Sequence, residues 1–464
     1  MKLITKYFDI FIILLISVTT FWVIINTEAR SDYGDGAMHY VLAKYSFQYP
    51  KFYLDHWAKP IFTLIASPFA QFGMLGCCIL NLICNTISSF LIYLLAKQFN
   101  LKYSWIVALI IFLSPEAFRT SNSALTEPLF SVILLSAFYF LVVAKFNFSA
   151  IVISFLPFAR TEGFFIMGIF AIAFLYKKQW KSILLLPVVT VIYSIIGGLY
   201  FQDFLWLITE NPYQGASDIY GHGELLDFVS SYHTTFGNYT SYGLLISLGL
   251  FIITLFKFKK FPLLFPFGFS FFIIFFFVGL HSILWWKGLA GSLGLLRVLT
   301  CITPLIAFCV LIGYNLLNNF HHKLYLVSSV LIMLHASDIF ENANKILPFS
   351  FGVEEGVMQT SADWYLQNVS SDKKISYYYP YFTLALKTDP FDEKKVLNSG
   401  GLDKEHPENT LKSGEIIFWD SHFFPKEIGQ PLERFLDNKE FLLLNNFSSS
   451  YPNPKFEVYI FQRK

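Results

Sequence analysis

Apolar residues dominate the first 340 positions in runs of about 17 to 25, the length that crosses a bilayer as a helix. The pattern predicts spans near 7–26, 74–96, 103–121, 125–144, 182–202, 241–256, 262–286, 293–314 and 324–340, with a shorter pair at 148–159 and 163–176. Neither member of that pair is long enough for a full crossing. Lys145 before it and the YKKQWK cluster after it nevertheless require the same side of the membrane, so the pair reads as a hairpin. Two long stretches, 27–73 and 203–240, interrupt the spans. The first includes KPIFTLIASPFAQF, whose amphipathic pattern suits the membrane interface.

Beyond residue 350 the pattern changes. A helical segment, ADWYLQNV, is followed by strand-like runs ISYYY at 375–379, EIIFWD at 415–420 and FEVYIF at 456–461, parted by Gly, Pro and Asn turns. The expected fold class is a polytopic α-helical membrane protein, about eleven membrane segments over residues 1–345, with a small C-terminal extracytoplasmic α/β domain over 346–464.

Charge sharpens that division. Of the 464 residues 14% are charged, against roughly 25% in an ordinary soluble domain. Residues 1–350 hold 36 charges and residues 351–464 hold 30, so only the second part has a soluble density, and a soluble cytosolic enzyme is excluded. The net charge of +2 points to no nucleic-acid partner. With the N-terminus cytoplasmic, the inner connections carry Lys2, Lys6, Lys97, Lys102, Lys145, Lys177, Lys178, Lys181, Lys257, Lys259, Lys260 and Lys323, with Asp9 as their one acid. The other 14 of the 15 acids before residue 351 then face outward, which satisfies the positive-inside rule and leaves the C-terminal domain outside. No small-residue cleavage pattern follows the first apolar run, so it is expected to be a retained span. The five cysteines all lie in apolar segments without ligand spacing, and neither disulfides nor a zinc site is expected.

Candidate chemistry concentrates on the outer side. The first long loop holds Asp32, Asp35, His39, Asp55, His56 and Lys59. Asp35 precedes the helix-compatible run AMHYVLAKY, where it suits a helix cap or, if partly desolvated, a general base for an alcohol. Lys59 before Pro60 suits a phosphate as a point charge or a headgroup-seeking side chain. Glu127 opens a span ahead of Pro128, as helix-start chemistry favours, and adds a second outward acid. Arg160 and Glu162 fall at the hairpin tip PFARTEGFF, at membrane depth, as a functional pair or as an ion pair that pins the hairpin. Arg297 sits about one turn inside an apolar run, where an arginine pairs with a phosphate or a carboxylate. His222, Glu224, Asp227 and His233 in the second loop match no strong metal motif and read as solvated residues.

These motifs resemble, in order and sidedness, the GT-C superfamily of integral-membrane glycosyltransferases, especially bacterial relatives of protein O-mannosyltransferases and the lipid A aminoarabinose transferase. SDYGDGAMHY resembles the family's acid-bearing first loop, which makes Asp35 the catalytic acid. HWAKP resembles its Lys-Pro element, which puts Lys59 on the lipid-linked phosphate. LTEPLF makes Glu127 the second active-site acid, FARTEGFF resembles the Arg-x-Glu-Gly hairpin, and LLRVLTCITP the late arginine-bearing span. Ala58 stands where several relatives have an acid, which puts a metal ligand there in doubt, and Ile61 replaces a second proline.

The resemblance implies a polyprenyl-phosphate-linked sugar as donor and a lipid, glycan or protein as acceptor. It also implies inverting transfer at the outer face of a bacterial inner membrane, with a divalent metal as an open option. Asp35 and Glu127 are the expected catalytic residues and Lys59 and Arg297 the phosphate ligands. Asp32, His39, Asp55, His56, Arg160 and Glu162 line the cavity. The competing reading is a transporter or flippase of a lipid-linked saccharide, which would be built from repeated halves with broken helices at the midplane.

Overall fold

The computed structural model describes residues 2–210, 212, 219–257, 262–320, 324–369, 372–450 and 455–464. Lys259, Lys260 and Lys323, assigned to inner connections, and part of the second long loop lie outside the described residues. Among the described residues seven helices are long and apolar enough to cross a membrane, as an integral multi-pass protein requires. They are Tyr7–Ile25, Met74–Gln98, Trp180–Phe201, Asn238–Phe256, Leu264–Lys287, Leu296–Asn318 and Leu324–Ile346. Pro60–Ala70, Glu127–Val142, Phe146–Ala159 and Gly163–Tyr176 are apolar but shorter.

Prolines explain most differences from the expected spans. The run at 103–121 divides into α5 (Ile106–Leu113) and α6 (Pro115–Ser121), because Pro115 cannot continue the hydrogen-bonded ladder of the turn before it. Within the expected span at 182–202, which is kept as Trp180–Phe201, Pro187 interrupts the ladder between α11 (Trp180–Leu185) and α12 (Val188–Phe201). Pro157 stands one residue inside α9 (Leu156–Ala159), which follows α8 (Phe146–Ile153). The remaining early helices are α1 (Lys2–Ile25), α2 (Asp35–Tyr45), α3 (Pro60–Ala70), α4 (Met74–Gln98), α7 (Glu127–Val142) and α10 (Gly163–Tyr176).

The chain divides into two compact units, one of residues 1–31 and 42–349, the other of residues 32–41 and 350–464. In the first unit α4 packs against α1, α3 and α7, and α7 against α8. Thr303–Phe320 packs against Asn238–Lys257 and α5. Its side chains from Leu305 to Ile312 are all buried, as expected of a helix that is apolar on every face.

The second unit holds a five-stranded sheet in the order β2-β1-β3-β5-β4. Its strands are β1 (Ile375–Tyr377), β2 (Val396–Asn398), β3 (Ile416–Asp420), β4 (Phe441–Ser448) and β5 (Glu457–Arg463). β1 runs parallel to β2 and β3, and β5 antiparallel to β3 and β4, in a register that sets Trp419 opposite Tyr459. All five residues of β3 are buried, as a central strand covered on both faces requires. One core cluster gathers Leu402, Leu411, Ile417, Trp419, Phe424, Phe435, Phe441 and Phe461. The helix Val353–Asn368 packs on β4 and β5. β2 and β4 were not expected from the sequence. β2 has only three residues, and FLLLNNFS lacks the β-branched alternation that marks a strand.

Candidate active site

In the first unit, polar side chains from four separate segments meet in a buried chain of alternating charge. Glu127 is the first residue of α7 and its side chain is 1% exposed. Its Oε1 accepts from Arg160 Nη1 at 2.8 Å and lies 3.6 Å from Arg297 Nε. Arg160 also donates through Nε to Glu162 Oε1 at 2.6 Å and through Nη1 to Thr126 Oγ1 at 3.1 Å. His281, on the helix Leu264–Lys287, places Nε2 3.8 Å from Glu162 Oε1 and packs its ring against Phe277 and Phe228. Among the described residues the other oxygen of Glu127, Oε2, is buried without a hydrogen-bond partner, and so is His281 Nε2. Buried polar atoms left in that state are costly.

Local sequence explains how each member is held. Asn81 of α4 donates from one Nδ2 to the carbonyls of Thr120, Ser123 and Leu125, tying down the turn that enters α7. Pro128 fixes the first turn of α7 and needs no amide there. Ser131, one turn on, donates to the carbonyls of Thr300 and Cys301. It thereby fastens α7 to the 3₁₀ segment Leu296–Ile302 that bears Arg297. At the hairpin tip, a Cβ on Gly163 would lie 2.5 Å from the carbonyl carbon of Leu156. Only glycine lets α9 and α10 approach this closely across Arg160-Thr161-Glu162.

The segment before α3 is a second prepared element of the same unit. Asp55 Oδ1 accepts from the amides of Trp57 and Ala58, closing a tight turn. Asp55 is thus occupied with backbone. His56 lies against Trp206, ring centroids 4.8 Å apart, and burial lowers its pKa below the usual 6.5. Lys59 has φ 62° and ψ 92°, a left-handed conformation that a lysine rarely adopts, and its Nζ is 3.4 Å from the His56 carbonyl. Pro60 then starts α3, which packs against α9, the helix that leads into Arg160.

Asp32, Asp35 and His39 belong to the second unit. Asp35 is the first residue of α2 and half-buried, while His39 is buried. The carboxylate that accepts a first-turn amide is that of Asp32, whose Oδ1 takes Gly36 N at 2.7 Å. In the second long loop Asp227 Oδ2 accepts from Trp285 Nε1 and Glu224 N, while His222, Glu224 and His233 are exposed. Among the described residues no three His, Cys, Asp or Glu side chains come together in a way that would hold a metal ion.

Sequence reasoning singled out Glu127, Arg160, Glu162 and Arg297 and offered an Arg160–Glu162 ion pair as one reading, but it did not foresee that Glu127 takes both Arg160 and Arg297, and it missed His281. Its signal was present, since an ionisable residue within an apolar run such as FVGLHSILWW is a site candidate by default.

No protein-family model and no curated protein matches the chain. Solved structures do. ArnT from Cupriavidus metallidurans bound to undecaprenyl phosphate superposes with a TM-score of 0.65 at 8% identity, covering 98% of each chain. The apo state of that protein gives 0.64 at 9% identity, covering 97% of each chain. The archaeal oligosaccharyltransferase AglB from Archaeoglobus fulgidus, in complex with an inhibitory peptide and a dolichol-phosphate, gives 0.52 at 12% identity over 82% of this chain and 64% of its own. Such low identities speak for the fold alone, which this chain shares with ArnT and, over a smaller part, with AglB.

Proposed function

We propose that this protein is a glycosyltransferase that moves a sugar from a polyprenyl-phosphate carrier to an acceptor on the extracytoplasmic side of the membrane, with inversion. The observation that carries this reading is Glu127, buried between Arg160 and Arg297 with one oxygen making no hydrogen bond. The polyprenyl phosphates in the similar ArnT and AglB structures supply the donor class.

In the proposed reaction the acceptor hydroxyl gives its proton to the Asp35 carboxylate as its oxygen attacks the anomeric carbon. The bond from that carbon to the phosphate oxygen breaks with its electron pair on the phosphate, and polyprenyl phosphate leaves. Arg297 and Lys59 stabilise the charge growing on the phosphate. Glu127 orients the acceptor through Oε2.

Removing a base or a clamp of this kind costs about 10² to 10⁴ in rate, or about 3 to 5 kcal/mol of barrier. The test is transfer from a lipid-linked sugar by the purified protein in liposomes. Asp35→Asn is expected to lose turnover by that factor, and near-normal turnover would remove Asp35 as base. Full activity of Lys59→Ala and Arg297→Ala at saturating donor would remove the phosphate clamp. Movement of the donor across the bilayer without transfer would replace the enzyme reading by a flippase. Mass spectrometry of cells lacking the protein should show an unused lipid-linked sugar accumulating.

A further inference from the structure

The second unit takes residues 32–41 from the opposite end of the sequence, and with them the start of the helix that bears Asp35. Two residues before Asp35, the Tyr33 ring is 6% exposed. It stacks on Phe351 with centroids 5.7 Å apart and planes 18° apart, and meets Tyr381 edge-on at 4.8 Å. Tyr381 is itself buried, and its hydroxyl donates to Gln359 Oε1 of the helix Val353–Asn368 at 2.8 Å. The first turn of that helix carries Glu354 and Glu355. Asp32 lies close enough to this turn that its charge helps hold the Glu355 carboxyl above its ordinary pKa, after burial and Glu354. From that place Asp32 Oδ1 accepts Gly36 N, and the Gly34 carbonyl accepts Met38 N. Both residues flanking Tyr33, Asp32 and Gly34, are therefore tied to the first turn of α2, and the ring of Tyr33 is the part gripped within the sheet-bearing unit.

We propose that Tyr33 is a positioning residue: its ring, held between Phe351 and Tyr381, sets the first turn of α2 and so the orientation of Asp35. The inference rests on the reading of Asp35 as the general base. It assigns the C-terminal residues a part in the reaction that their lack of any catalytic motif conceals. A base displaced by about 1 Å loses about 10²-fold in rate with binding little affected, so the signature of such a role is a split between kcat and KM.

The experiment compares Tyr33→Ala, Phe351→Ala and Tyr33→Phe with Asp35→Asn in the full-length protein, by steady-state transfer from a polyprenyl-phosphate sugar. Phe351 is 42% exposed, so its truncation leaves no buried void and guards against simple misfolding. Tyr33→Ala and Phe351→Ala are expected to lower kcat about 10- to 100-fold with the donor KM within about threefold. Tyr33→Phe, which keeps the ring, should restore kcat to within about threefold of the parent. Amide exchange in residues 36–41 should accelerate in the two alanine variants and stay unchanged in Asp35→Asn. Normal kcat in Phe351→Ala beside an inactive Asp35→Asn would overturn the positioning role and leave the base assignment standing. An active Asp35→Asn would overturn both. Equal losses in kcat and protein yield, with no rescue by Tyr33→Phe, would reduce Tyr33 to a folding contact and overturn the proposal.

Discussion

Arg160 and Glu127 stand 33 positions apart in the chain and 2.8 Å apart in the folded protein, with Glu127 1% exposed. The same guanidinium also holds Glu162, so one arginine neutralises two carboxylates and joins the hairpin tip to the start of α7. Breaking a buried pair by removing one partner costs about 3–5 kcal/mol, because the remaining charge is stranded. Arg160→Met takes the shortest ion pair from two carboxylates at once, leaving Glu127 with Arg297 and Glu162 with His281 at longer range. We expect it to lower the thermal midpoint of the detergent-solubilised protein more than Arg297→Met does. Arg160→Lys should rescue it poorly, since an ammonium lacks the planar fork that reaches Glu127, Thr126 and Glu162 together.

Glu127→Gln keeps the shape of the side chain and removes its charge. Arg160 retains Glu162, so stability should fall by less than in Arg160→Met. Turnover should fall about 10²-fold or more if Oε2 handles the acceptor. Binding of free polyprenyl phosphate, measured by ligand-induced thermal stabilisation, should be retained, and its loss would move Glu127 from the acceptor to the donor side.

Asn81 donates to three carbonyls from one buried amide. Asn81→Leu leaves those acceptors without it and should destabilise by about 1–3 kcal/mol. Activity should fall further than the loss of folded protein explains, because the turn leading into Glu127 is released. Comparing specific activity per folded molecule with the thermal midpoint checks this.

Gly163→Ala changes no polar atom of the charged network. Its added Cβ would nevertheless fall 2.5 Å from the Leu156 carbonyl carbon and 2.6 Å from Pro157 N, both backbone. The hairpin must spread, at about 1–3 kcal/mol, the usual cost of overpacking. Reduced stability together with reduced turnover is expected, and an unchanged thermal midpoint would contradict the close approach of α9 and α10.

The C-terminal unit should be more stable in mild acid than in mild base. Burial pushes the Asp420 carboxyl up to about 6 from its ordinary 3.8, although Oδ1 accepts the amides of His422 and Phe423. The folded chain thus keeps a proton that the unfolded chain releases first. The associated stability is complete below about pH 4 and is lost as pH rises through about 6, on the order of 3 kcal/mol. His422, hydrogen-bonded to Glu354 and for that reason raised above 6.5, acts in the same direction, its contribution fading as pH rises through its folded value. Calorimetry of the full chain at pH 5 and pH 8 should show the difference. Asp420→Asn, which keeps an oxygen for the two amides, should remove most of the part between pH 4 and 6.

The membrane part and its separate C-terminal domain were legible in the chain itself. Apolar run length and sparse charge are one-dimensional properties, and a bilayer selects helices by them directly. Prolines at 115 and 187 were visible too, but whether they bend a span or end a helix depends on the partners that take over the freed carbonyls. Glu127, Arg160, Glu162 and Arg297 could be picked out one by one because a charge in an apolar run is expensive and needs a reason.

That Glu127 takes both Arg160 and Arg297 was decided only by tertiary structure. Arg160 meets Glu127 through the packing of α3, α7 and α9, and Arg297 comes to Glu127 through the bonds of Ser131 to the 3₁₀ segment. Neither relation has a local period. The grouping of residues 32–41 with residues 350–464 was equally invisible, since Tyr33 and Tyr381 are separated by about three quarters of the chain. Burial of an aromatic ring can be anticipated from its type, whereas the ring it meets depends on the closure of a loop hundreds of residues long, and the sequence carries that only in the fold as a whole.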